Sequence, residues 1–310
     1  MVNIQKEYLN SSKYKGNVMI QSPEVVDDVL ERMISQGGRE NLQIVADFDY
    51  TLTNYHRSDG KPGRANTSWE LLNESSLVPG FFESMKQIID KYRPIEVDPK
   101  LNTDEKILAM LNAYNEFNEQ FMKHNFNDNM MEKLMLEAKS SISLRDGAKD
   151  FLENAYANGI PVLIVTAGFG EVVLRFLKKQ GLYHDEYTNV MGNFLDFDSK
   201  KEHCKGIIKP YIHVYNKKGK TFLDMADDNV LKEMMKRKNI ILLGDSIGDL
   251  GMSEGLHDPM MGDLLKIGFL NHDVDDKYHL NLYVSSYDIV LLDERSYDLP
   301  NFILNYITKK

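Results

Sequence analysis

The chain predicts an α/β fold with a mainly parallel sheet, and three observations carry that prediction. Strand-like runs alternate with helix-like ones from about residue 40 of the 310 onward. The strand-like runs are short, apolar and β-branched, as strands covered on both faces are. With 42% hydrophobic and 27% charged residues, the composition supplies enough apolar material for a real core. At ~150 residues per domain, the length fits one large or two moderate domains.

In chain order, the first ~15 residues show no tethering pattern. Residues 22–36 read as a helix, with Ser22 at the N-cap, Pro23 in the first turn and Gly37 just past the end. Its apolar residues Val25, Val26, Val29, Leu30 and Met33 fall on one face. Residues 42–46 form the first core strand. From about Asn54 to Arg145 the pattern is helix-rich, and a structureless loop of that length would be exceptional, so this is a helical insertion. Pro79 opens one of its helices, Thr103-Asp104-Glu105 a second, and Asn127 caps a third. Gly159-Ile160-Pro161 ends a helix and starts the second strand, 161–166. Residues 190–197 with 211–215 resemble an added antiparallel pair, and further strands fall at 240–243, 265–270 and 288–292. The expected organisation is a core of residues 40–55 and 146–310, with a cap of 56–145 against which helix 22–36 packs. No internal repeat or heptad array is present.

Composition also excludes classes of function. Lys and Arg number 37 against 47 Asp and Glu, a net charge of −10, which argues against a general nucleic-acid binder but permits a local pocket for one phosphate. No stretch approaches the ~20 apolar residues of a membrane span. The polar opening MVNIQKEYLN has no signal-peptide apolar region, and the lone Cys204 excludes an internal disulfide or a cysteine-built zinc site. A soluble, cytoplasmic protein is expected.

The chemistry-bearing residues sit where strands end. Asp47-Phe48-Asp49-Tyr50-Thr51 follows the first strand, and alternate strand positions share a direction, so Asp47 and Asp49 point together while Phe48 packs. Two carboxylates at such a strand end are costly unless a cation sits between them. After the 240–243 strand comes Gly244-Asp245-Ser246-Ile247-Gly248-Asp249. An acidic, helix-capping turn would account for Asp249 alone; alongside Asp47 and Asp49, the pattern points to a hard divalent cation, Mg²⁺ by preference. Thr166-Ala167-Gly168 ends the second strand in a turn that offers a hydroxyl and backbone N–H donors to a phosphate. Candidate cations to balance that phosphate are Lys205, Lys209, Lys217, Lys218 and Lys220.

DFDYT, TAG, a downstream lysine and GDSIGD, in this order and each in strand–turn context, resemble the four motifs of the haloacid dehalogenase-like hydrolases. The segments NLQIVADFDYTLT, IEVDP, DFD, IHVYNK, IILLGDSIGDL, LKIGFLN and SYDIVL resemble the cytosolic 5′-nucleotidase type III (pyrimidine 5′-nucleotidase) family over roughly residues 22 to 305. The resemblance implies a Rossmann-like core with a helical cap inserted after the first strand.

It also implies roles. Asp47 would be the nucleophile and Asp49 the acid and then base, with the Asp49 backbone carbonyl also given to Mg²⁺. Asp245 would complete the metal shell and Asp249 act through water or by orientation. Thr166 and Ala167 would hold the phosphate. The lysine would be Lys217, with Lys209 as second candidate. On the cap, Glu96 would read the base edge, Tyr114 would stack on the base and Phe117 could flank it, whereas Phe121 reads as cap core. The implied activity is Mg²⁺-dependent hydrolysis of nucleoside 5′-monophosphates, pyrimidines favoured, by a monomer whose partner is a small molecule rather than a polymer or membrane. The alternatives are a 7-methyl-GMP-preferring nucleotidase and a catalytically silent nucleotide-binding protein on the same fold.

Overall fold

A computed structural model describes residues 4–9, 17–59, 63–73, 80–98, 100–137, 142–218 and 229–309. Its centre is a seven-stranded sheet. In chain order the strands are β1 (Asn17–Ile20), β2 (Leu42–Asp47), β3 (Val162–Phe169), β4 (Thr188–Asn193), β7 (Asn239–Gly244), β8 (Leu264–Leu270) and β9 (Ile289–Leu292). Spatially they run β1-β9-β8-β7-β2-β3-β4, all parallel except β1, which pairs antiparallel with β9. The five core strands read from the sequence are all present. The edge strand β1 was not expected, because four residues of mixed burial give too short a pattern.

Successive residues of the central strands serve opposite faces. Ile44, Ala46, Ile164, Ile241 and Leu243 enter one apolar layer, and Val45, Leu163, Val165, Ile240 and Leu242 the other. The first layer is closed by α1 (Pro23–Ser35), α5 (Ala148–Ala157), α6 (Gly170–Gln180) and α9 (Asp298–Thr308). The second is closed by α7 (Asn229–Met234) and α8 (Lys277–Ser286).

Helix α1 corrects one expectation. Its buried residues Val26, Leu30 and Met33 lie on the core, where it packs chiefly against α9 and β8 rather than the cap. The Arg32–Asp263 ion pair at 2.7 Å ties it there. The apolar stripe fixes that a face is buried but not which neighbour buries it.

A second correction concerns 190–197 and 211–215. The first stretch divides into β4, which extends the main sheet, and β5 (Leu195–Phe197), which pairs antiparallel with β6 (Cys204–Ile207). Residues 211–215 form a loop. The backbone N–H of Ile212 bonds to Asn193 Oδ1 at 3.0 Å and its carbonyl accepts from Asn193 Nδ2 at 2.9 Å, so a side-chain amide replaces a strand partner.

The insertion contains α2 (Phe81–Val97), α3 (Thr103–Lys123) and α4 (Asp128–Glu137). Asn102 and Glu105 form a reciprocal capping box at the start of α3, and Asn127 Oδ1 accepts from Met130 N at 3.0 Å at the start of α4. Pro79, expected to open the first of these helices, lies outside the described residues. The chain leaves and re-enters the core side by side, with Asn54 N bonded to Ser143 O at 2.8 Å and Arg145 N to Leu52 O at 3.0 Å. Phe121 is fully buried among Phe81, Phe126 and Phe169, as its core reading requires. Among the described residues, no helix is long and apolar enough to cross a membrane.

Candidate active site

Three adjacent parallel strands, β7, β2 and β3, end at one edge of the sheet and bring Asp245, Asp47 and Thr166 together. After β2 the chain makes a tight turn, Phe48–Leu52, in which Tyr50 adopts a left-handed φ of 61°. Buried Arg145 holds this turn by donating to the carbonyls of Tyr50 at 2.5 Å and Thr51 at 2.9 Å.

Asp47, Asp245 and Asp249 bring carboxylate oxygens within 4.8 Å of one another. Asp249 Oδ2 accepts from the backbone N–H groups of Asp245 at 3.0 Å and Ser246 at 2.9 Å, which leaves Oδ1 to Lys217 Nζ at 2.7 Å. Lys217 also bonds Asp47 Oδ1, and all three side chains are buried. Asn216 aims that lysine by closing its loop, accepting from His213 N at 2.7 Å and donating to Tyr211 O at 2.8 Å.

Charge does not balance in this cluster. Burial, with Asp249 and Asp49 nearby, outweighs the ammonium and pushes the Asp47 carboxyl up to about 7. Asp245 is raised well above the ordinary carboxylate range by burial and by Asp47 and Asp249. Burial pulls the Lys217 ammonium down, but Asp249 and Asp47 together hold it above the usual lysine range. Two buried carboxylates and the half-buried Asp245, facing one ammonium, form an all-oxygen donor set that fits a hard divalent cation.

Asp49, two residues on, turns its carboxylate elsewhere. Oδ1 accepts from Ser68 N at 2.6 Å, and Oδ2 from Ser68 Oγ at 2.6 Å and Thr166 Oγ1 at 3.3 Å. Its pKa is raised, mainly by burial. Gly168 N donates to Thr166 Oγ1 at 2.8 Å, and Gly168 has to be glycine. A Cβ there would lie 2.7 Å from Asp49 Oδ2 and 2.8 Å from Thr166 Oγ1, and closer still to Ser68 Oγ.

Two cavities meet here. One of about 230 Å³ is lined by Asp47, Asp49, Thr166, Lys217, Asp245 and Asp249 among others. It adjoins one of about 570 Å³, with Asp49, Tyr50, Arg93, Ala167, Gly168, Asp245 and Ser246 lining both. The larger cavity is lined by Trp69, Tyr92, Glu96, Tyr114 and Phe117 among others. Glu96 pairs with Arg93 at 2.5 Å, and its backbone carbonyl accepts from Tyr215 OH at 2.6 Å. Tyr114 is more constrained than a free stacking ring. Its hydroxyl reaches Ile212 O at 2.8 Å and Ala167 O at 3.1 Å, and its ring stacks on Tyr211 at 4.9 Å.

All the site residues expected from the sequence therefore border these two cavities. Of the lysines, Lys217 is at the carboxylates. Lys209 is exposed over the Tyr211 ring, Lys205 and Lys218 pair with Asp196 and Glu254, and Lys220 lies outside the described residues. Sequence reasoning missed Arg93, Ser68 and Trp69. Thr67-Ser68-Trp69-Glu70 does carry a capping-box pattern, and Thr67 and Glu70 bond reciprocally at 3.1 and 3.2 Å. That signal would have located the turn, though not its contact with Asp49.

A carboxylate at a strand end, an acidic trio, a buried lysine and a helical segment inserted between the first two parallel core strands match a hydrolase of haloacid dehalogenase-like fold. The chain belongs to the pyrimidine 5′-nucleotidase (UMPH-1) family, whose model matches residues 50–308, and it is a 5′-nucleotidase. It is 33% identical over 301 residues to the 7-methylguanosine phosphate-specific 5′-nucleotidase B of Xenopus laevis, covering 96% of this chain and 97% of that one. The human 7-methylguanosine phosphate-specific 5′-nucleotidase is 29% identical, with 96% and 94% covered. The crystal structure of cytosolic 5′-nucleotidase IIIB bound to cytidine superposes with a TM-score of 0.85 at 28% identity, covering 99% and 98%. A probable phosphoserine phosphatase from Vibrio cholerae, 11% identical with a TM-score of 0.52 over 92% and 72%, shares the fold alone.

Proposed function

We propose that this 5′-nucleotidase hydrolyses nucleoside 5′-monophosphates through an aspartyl-phosphate on Asp47. The phosphate fits the smaller cavity, where Lys217, the Thr166 hydroxyl and the Ala167 backbone N–H surround its oxygens. An Asp47 oxygen attacks phosphorus as the bond to the nucleoside O5′ breaks, and Asp49 gives that oxygen its proton. Asp49 then takes a proton from the water that cleaves the acyl phosphate, releasing inorganic phosphate and free Asp47. Asp47, Asp245 and Asp249, with the Asp49 backbone carbonyl, would hold Mg²⁺, which when bound offsets negative charge on the phosphoryl group.

The observation that carries this reading is the junction of the two cavities at Asp49. It leaves room for a phosphate beside Asp47 and for a nucleoside in the adjoining 570 Å³ space, which supports the reading. There a base lies among Trp69, Tyr114 and Phe117, with Glu96 accepting from an exocyclic amine. CMP satisfies that carboxylate and UMP, which lacks the amine, does not. The enzyme acts in the cytoplasm, a reading supported by the names of its relatives.

A second substrate, 7-methyl-GMP, is favoured by Trp69 in the cavity wall, since a cationic ring gains from an indole face and from a carboxylate. The names of the Xenopus and human relatives point the same way. A silent binding protein is disfavoured by the complete set of Asp47, Asp49, Thr166, Lys217 and Asp245. Phosphate release from CMP, UMP, 7-methyl-GMP and p-nitrophenyl phosphate, each with Mg²⁺ and with EDTA, tests the reading. Turnover of CMP or 7-methyl-GMP above UMP, abolished by EDTA, is expected. No nucleotide turnover, or turnover indifferent to EDTA, would overturn it.

A further inference from the structure

The acid–base carboxylate owes its orientation to the insertion as well as to the core. Both hydrogen bonds of 2.6 Å to Asp49 come from Ser68, one from its N–H and one from its hydroxyl. Ser68 is fully buried, so water does not compete for either bond. Its Oγ accepts from Phe169 N at 3.1 Å, which commits the hydroxyl proton to Asp49. The backbone of Ser68 is itself fixed. Thr67 and Glu70 bracket it in the capping box, and Arg64 grips both Glu70 oxygens at 2.6 Å. The neighbouring Trp69 seats edge-on against Phe117 of α3 at 4.8 Å and Phe169 of β3 at 5.3 Å.

A carboxylate without such a clamp rotates about its last torsion, and here Lys217 attracts it toward the acidic trio. Thr166, the remaining side-chain donor, is at 3.3 Å and cannot by itself fix two oxygens.

We infer that Ser68 is a positioning residue for Asp49, holding its carboxylate where a proton passes to the leaving nucleoside oxygen. This rests on the reading of Asp49 as acid and base. It makes the seat of the inserted segment a condition for proton transfer, while Asp47 and its metal site are built by the core alone. Ser68 touches no reacting atom and acts through Asp49.

The test compares Ser68→Ala, Ser68→Cys, Ser68→Thr, Asp49→Asn and the Ser68→Ala/Asp49→Asn double variant in Mg²⁺. Thermal melting selects the variants that fold. The substrates are CMP, whose alkoxide leaving group needs a proton, and p-nitrophenyl phosphate, whose leaving group does not. The value of kcat/KM reports the first phosphoryl transfer. Ser68→Ala and Ser68→Cys should lower it for CMP by ~10–100-fold, part of the ~10²–10⁴ that a positioned acid supplies. Loss on p-nitrophenyl phosphate should stay within about threefold, and Ser68→Thr should recover most of the CMP activity. In the Asp49→Asn background the Ser68→Ala change should cost less than about twofold more. Equal losses on both substrates, no loss on CMP, or an undiminished loss in the Asp49→Asn background would each overturn the inference. Near-normal CMP turnover by Asp49→Asn itself would remove the acid reading on which it stands.

Discussion

Replacing Lys217 by Met removes the ammonium held between Asp47 and Asp249 while keeping the side chain's length. The lysine is 5% exposed and its two partners 6% and 3%, so water cannot take its place. Breaking a buried pair of this kind costs ~3–5 kcal/mol, because a charge is left uncompensated. With a melting entropy of ~2.1 cal/mol/K per residue, a chain of this length loses about 5–8 °C in Tm. Melting in EDTA should show that loss. Melting in excess Mg²⁺ should show less, since a divalent cation neutralises the same carboxylates. Phosphate release in saturating Mg²⁺ should nevertheless fall by ~10²–10³, the usual cost of removing a donor to transition-state charge. Lys218→Met is the control. Lys218 is 52% exposed and 3.2 Å from Glu254, and exposed pairs contribute ~0–1 kcal/mol. A Lys217→Met melt in EDTA as small as the control's, or a deficit that Mg²⁺ leaves untouched, would refute this reasoning.

Three further outcomes follow from the geometry. Glu96→Gln should raise KM for CMP more than for UMP, by ~1–3 kcal/mol of lost discrimination, and leave p-nitrophenyl phosphate unaffected; equal losses on all three would make Glu96 structural. Gly168→Ala should fold but turn over CMP poorly, because its methyl displaces Asp49, Thr166 or Ser68, and wild-type kinetics would contradict that crowding. In EDTA, the raised Asp47 carboxyl favours the protonated fold. The stability it contributes is complete below its ordinary value near 4 and is lost as pH rises through about 7, by on the order of a few kcal/mol. Urea midpoints across that window should fall for wild type more than for Asp47→Asn, and Mg²⁺ should flatten the difference; parallel curves would rule the assignment out.

The convergence of the candidate site residues was legible because its chemistry is local. Asp47 ends β2, Asp245 directly follows β7, and Thr166, although β3 runs on to Phe169, directly follows the last residue of β3 that pairs with β2, so neighbouring parallel strands bring the three together. Lys217 was also within reach through its motif, although the loop before it was misread as a strand. Buried Tyr211, Ile212 and His213 give that loop a strand's hydrophobicity, while Asn193 and Asn216 satisfy its backbone through side chains. Ser68 was invisible for a different reason. Its partner Asp49 lies 19 residues earlier, and no periodicity encodes a hydroxyl of the inserted segment meeting a carboxylate after β2. The docking of α1 on the core failed similarly, since an apolar stripe does not name its neighbour. Tyr114 is an intermediate case: the structure puts it in the cavity wall, but ties its hydroxyl to two backbone carbonyls of the core.

The central claim is that phosphate passes through a covalent bond to Asp47. Turnover of CMP in Mg²⁺, quenched in acid within milliseconds and reduced with borohydride, converts an aspartyl-phosphate to homoserine that peptide mass spectrometry can place. Homoserine is expected at position 47 in the wild-type enzyme and none in Asp47→Asn. Homoserine at any other carboxylate, or none at position 47 while CMP is being hydrolysed, would contradict it.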